Sequence, residues 1–140
     1  MNIRFAFLLL FVTTLAAIAC KKENKQSDPL TIVGMWKYSS YSGGIAGFKH
    51  KAVDAGTNMQ LAFGDGGSYR QFDNGATTTQ DKFSIIKNYA FTSYYTRDAL
   101  QLGNKIAGEV SLKRGSQDTL FITPAAGYPD VMTFEYVKLK

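Results

Sequence analysis

Beyond residue 30 the apolar positions of this chain recur mostly at every second residue, the period of a half-buried strand. "MQLAF" puts Met59, Leu61 and Phe63 on one face. "GDGG" follows, an Asp-Gly turn signal, and "SYRQFD" runs back, so these stretches predict a hairpin. "NGA" is a second turn, leading into "TTTQDKFSIIK", and "NYAFTSYYT" reads as a further, aromatic strand. "LQLGNKIAGEVSLK" holds one or two strands around Gly103-Asn104, "RGSQD" turns into "TLFITP", and "GYPD" turns into "VMTFEYVKL". The first strand is "TIVGMWKYSSY", rich in β-branched and aromatic residues. Residues 43–57 offer the best chance of a short helix, although Gly43, Gly44, Gly47 and Gly56 interrupt them. About eight strands joined by tight turns predict an all-β fold, an antiparallel up-and-down barrel. Closure would remove the exposed edges of an open meander and pair residues 31–41 with residues 131–139.

The head of the chain has a different pattern. Arg4 is followed by an uncharged stretch up to Lys21 that opens on "FAFLLLFV". This is short for a membrane span of ~20 residues and suits a secretory h-region of ~7–15. Small residues follow at Ala16, Ala17 and Ala19, and then comes Cys20, the only cysteine, before "KKENKQSDP". A disulfide is excluded for want of a partner, and the charged flank argues against burial. "AIAC" resembles the lipobox of bacterial lipoproteins. The resemblance implies cleavage between Ala19 and Cys20, a diacylglycerol on the Cys20 sulfur and acylation of the new amino group. Ordinary secretion with cleavage nearby is the alternative. Residues 1–19 are then a signal peptide, 20–29 a lipidated polar tether and 30–140 the barrel domain. Several acyl chains anchor stably where one does so marginally. Lys21, in place of an aspartate after the cysteine, favours the outer membrane by the same resemblance; periplasmic and surface-facing orientations both stay open.

Charge adds little. Sixteen basic and eleven acidic residues give a net charge of +5, but the two signs are interspersed. That pattern describes a solvated surface with no nucleic-acid footprint.

"VGMWK" on the first strand resembles the Gly-x-Trp motif that opens the lipocalin barrel, with Gly34 and Trp36 as the matching residues. The resemblance implies that Trp36 closes the barrel floor beneath a basic residue of the last strand, here Lys138 or Lys140. The "GDGGSY" hairpin, the "NG" turn and "DTLFIT" are similar to short lipocalin-like lipoproteins of Gram-negative bacteria.

Candidate chemistry is sparse. His50 lies between Lys49 and Lys51, a poor setting for a metal, and reads as an exposed loop residue. Asp65, Asp73, Asp118 and Asp130 fall in turn signals, where aspartate serves the backbone. Glu109 and Glu135 alternate with apolar neighbours; an outward solvated face or an interior acid fits either. No catalytic constellation, metal set or cofactor motif is visible, so an enzyme is not expected. Tyr89, Phe91, Tyr94 and Tyr95 fall on one predicted strand and serve either core packing or a cavity for an apolar molecule or a sugar ring. Two functions follow as expectations. One is a monomeric outer-membrane lipoprotein whose barrel binds a small apolar or amphipathic ligand. The other is a lipoprotein with a solid core that contacts envelope proteins or glycan.

Overall fold

The computed structural model describes residues 31–44, 47–125 and 131–140. The proposed signal peptide and tether, with Ala19 and Cys20, lie outside the described residues. Within them the chain forms β1 (Gly34–Gly43), β2 (Phe48–Ala52), β3 (Met59–Phe63), β4 (Ser68–Asp73), β5 (Ala76–Thr92), β6 (Tyr95–Leu102), β7 (Lys105–Lys113), β8 (Thr119–Pro124) and β9 (Met132–Lys138). All pairings are antiparallel. Consecutive strands from β3 to β9 are neighbours, and β1 closes the ring by pairing with both β3 and β9. The protein is therefore a closed, up-and-down antiparallel β-barrel of eight strands. β2 is the ninth strand, laid against β1 beyond the point where β3 leaves it.

The turns follow from local chemistry. Asn74 and Gly75 both have positive φ (51° and 84°), the demand of a two-residue type I′ hairpin. Two expectations need correction. The stretches "TTTQDKFSIIK" and "NYAFTSYYT" divide differently from the expectation: β5 runs on through a bulge at Asn88, which takes φ 51°, as far as Thr92, and the chain turns at Ser93 and Tyr94, inside the second stretch, to enter β6. The first half of β5 pairs with β4 and its second with β6, so β5 carries the stagger that a tilted barrel requires. Residues 43–57 hold strand β2 and no described helix. The free edge of β1 offers hydrogen-bond partners there, and the glycines disfavour a helix.

The interior is filled by side chains. Ile32, Trp36, Leu61, Phe63, Tyr69, Leu100, Val110, Leu120 and Tyr136 form the buried cluster, with Tyr38, Phe83, Ile85, Leu112, Ile122 and Phe134 packed against it. Phe63 meets Tyr69 and Phe83 at ring-centroid distances of 5.3 and 4.9 Å, and Tyr38 bridges Phe134 and Tyr136 at 5.9 and 5.4 Å.

Candidate functional site

The floor of the barrel is built around Trp36, which is 0% exposed. Its indole Nε1 donates to the Ile32 carbonyl at 2.7 Å. Trp36 pairs with Lys138 on β9, and the Lys138 Nζ stands 5.5 Å from the indole centroid. Gly34 has φ 132°, and a Cβ there would meet Lys138 Cε at 2.9 Å. The glycine thus leaves room for the lysine stem to lie across the tryptophan. Lys140 is exposed at the chain end. This constellation seals the barrel and has no reactive group.

A second constellation surrounds Glu135. Its carboxylate accepts from Ser40 Oγ at 2.9 Å and faces His50 Nδ1 at 3.4 Å, while Ser39 Oγ donates to its carbonyl at 3.0 Å. His50 lies on β2 and not in a loop, with its side chain 63% exposed. Glu135 is only 14% exposed, so it is not the solvated residue one sequence reading allowed. Ser40 donates directly to the acid, so this is no serine activated by a histidine. The cluster pins β2 and β9 to β1. Among the described residues, no three His, Cys, Asp or Glu side chains gather as metal ligands.

The third constellation has a cavity. β6 and β7 pair from Leu102 and Lys105 as far as Ala99 and Glu109, and there they part. An open cleft of about 610 Å³ separates Asn88, Thr96 and Asp98 from Val110 and Leu112. The end of the β5–β6 hairpin is thus an arm, released from β7 and bulged at Asn88 and again near Phe91. Beside it a pocket of about 310 Å³ is lined by Phe91, Thr92, Tyr95, Glu109, Thr123, Pro124, Ala125 and Val131. Glu109 pairs with Thr123, whereas their neighbours Val110 and Ile122 pair with each other and belong to the core. Side chains alternate across a strand, so the pocket lies on the outer wall of the barrel and not in its interior.

The arm is fastened at Glu109. Tyr95 Oη donates to Glu109 Oε2, and Arg97 Nε lies 3.7 Å from Oε1. The hydrogen bond to Glu109, more than burial, holds the Tyr95 phenol above the usual tyrosine range. Arg97 also covers the Tyr95 ring at 4.9 Å. Tyr89 and Phe91 meet edge to face at 5.0 Å, and Phe91 and Tyr95 lie 6.2 Å apart. Glu109 is 22% exposed. Thr123 Oγ1 and Thr133 Oγ1 share a hydrogen bond at 2.8 Å beside it.

The four aromatics expected on one strand therefore flank a turn. Tyr89 and Phe91 precede it, Tyr94 sits in it with 90% exposure, and Tyr95 follows. Sequence reasoning had Glu109 and the aromatics as separate features and missed Thr123, Pro124 and Val131. Their convergence depends on the bulges of the arm, for which the local residues carry no motif.

Fold and site together define a small closed antiparallel barrel with a packed interior and an outer-wall pocket beneath a bent hairpin. Comparison with family models, curated proteins and solved structures found no match.

Proposed function

We propose that this protein is an outer-membrane lipoprotein, held by acyl chains on Cys20, whose barrel presents the outer-wall pocket to a small amphipathic ligand. The observation that carries the ligand reading is the pocket of about 310 Å³ between Phe91 and Tyr95 on the arm and Glu109 and Thr123 on the barrel. A concave, mainly apolar surface with a few converging polar groups is the usual form of a small-molecule site. The anchor reading is supported by the single cysteine at the end of an uncharged N-terminal stretch. The filled barrel interior favours a second reading, in which the molecule is a solid-core module that contacts envelope proteins or glycan.

The test is expression of the full chain and of Cys20→Ser in a Gram-negative host, with detergent partitioning and native mass spectrometry. The wild type is expected in the detergent phase with a small-molecule adduct, and Cys20→Ser in the aqueous phase. Phe91→Ala is expected to lose the adduct. Equal partitioning of the two forms would overturn the anchor, and an adduct indifferent to Phe91→Ala would overturn the pocket as its site.

A further inference from the structure

We infer that the outer-wall pocket takes a neutral sugar ring, stacked on Phe91 and hydrogen-bonded to Glu109 and Thr123. This rests on the reading of the pocket as a ligand site and names the ligand class.

The polar groups decide between classes. Glu109 is an acceptor only, and one of its oxygens already receives Tyr95. An ionised carboxylate offers about four acceptor positions, so Oε1 retains capacity for further donors. Thr123 and Thr133 share one hydrogen bond, which leaves the pair a second hydroxyl proton to give. A ligand that covers these groups must hydrogen-bond with them, because a buried acceptor left without its donor costs binding. A bare hydrocarbon chain cannot do so. A carboxylate or phosphate would face Glu109. A cationic head group would approach Arg97, which already balances Glu109 and covers the Tyr95 ring. A pyranose satisfies each demand: it has an apolar C–H face for an aromatic ring, hydroxyls that donate to the acid, and oxygens that accept from threonine. Phe91, over whose ring the described residues place no cation, is the natural platform.

The same chemistry occurs in a free saccharide or glycan end and in the head group of a glycolipid. The experiment uses the full-length protein in detergent micelles, checked for its β-sheet circular dichroism. Saturation-transfer NMR and calorimetry follow methyl glucoside and maltose as free sugars. Phosphatidylcholine vesicles with and without a galactosyl diacylglycerol supply the lipid-borne form. Dodecanoate and dodecyltrimethylammonium are the comparison ligands. Saturation of sugar-ring protons is expected, with affinity reduced about ten-fold in Phe91→Leu, which keeps the apolar volume and removes the ring. Glu109→Gln should weaken sugar binding comparably. Response to the free sugars assigns a glycan, and response to the glycolipid vesicles alone assigns a head group; both support the inference. Binding of dodecanoate or dodecyltrimethylammonium without either sugar form would overturn the inference and leave the ligand pocket standing. If none of the probes bound, both would fall. Sugar binding unchanged in Phe91→Leu and Glu109→Gln would place the sugar elsewhere and overturn the assignment.

Discussion

At the scale of single residues, the floor and the buried tyrosines make the sharpest demands. Gly34 combines a positive φ with the close passage of the Lys138 stem. Gly34→Ala is therefore expected to cost about 1–3 kcal/mol in urea unfolding, through backbone strain and crowding together. Adding Lys138→Ala should recover the crowding part and leave the strain. If the double variant is no better than Gly34→Ala alone, the steric account is wrong. Trp36→Ala should cost ~3–5 kcal/mol, a large share of what a domain of this size has. Trp36→Phe should be milder. Tyr136 makes a different demand. Burial, reinforced by Tyr69 and Tyr38, pushes its phenol well above the usual tyrosine range, and burial raises Tyr69 and Tyr38 too. A raised folded-state pKa means that the unfolded chain releases its proton first. The stabilisation is complete below the ordinary tyrosine pKa of ~10 and is lost as pH rises from there. Melting temperatures measured from pH 8 to 11 should fall, and Tyr136→Phe should flatten the fall. An identical alkaline slope in the variant would refute the assignment.

At the scale of elements, the end of the β5–β6 arm stands away from β7 and is tied to it at Glu109. It has left β7 beyond Ala99 and Glu109, and its fastening consists of Tyr95 and Arg97 on one carboxylate. Exposed ion pairs contribute about 0.2–1 kcal/mol, and a neutral donor on a carboxylate about 1.5–3. Glu109→Ala should therefore speed amide exchange across residues 89–97 by roughly ten-fold or more, with the midpoint of global unfolding nearly unchanged. Loss of protection throughout the barrel would show that the arm and the barrel open together. The bend itself rests on Asn88, whose positive φ asparagine and glycine tolerate better than β-branched residues. Asn88→Val should destabilise by about 1–2 kcal/mol and Asn88→Gly much less. The arm also marks the limit of sequence reasoning. Alternation in "MQLAF" and the Asn74-Gly75 turn are local signals, and the structure has the hairpins they predict. The break expected before Asn88 is a bulge within β5, while the turn at Ser93-Tyr94, which carries neither glycine nor proline, falls inside a stretch read as strand. Thr123 and Val131 reach the pocket only through register across three strands and the fold-back of the arm, which no window of residues contains. His50 was misplaced for a related reason: β2 exists because β1 leaves an edge open, a tertiary demand.

At the scale of the whole molecule, the closing pair is made from the two ends of the domain. Trp36 is the single tryptophan in the chain and pairs with Lys138 on β9, with seven strands lying between the two in sequence. The ring therefore cannot shut until β9 is available to β1. Contacts so distant along the chain slow folding, because their loop must close before they repay it. In refolding experiments the shielding of Trp36 from iodide should appear in the slowest phase, after the β3–β4 and β4–β5 hairpins. Shielding in the fastest phase would show that the floor forms without the last strand. The seam between β1 and β9 thus acts as a clock as well as a joint. If the chain crosses a membrane on its way to an anchor at Cys20, it would remain a threadable polymer until its final strand arrived.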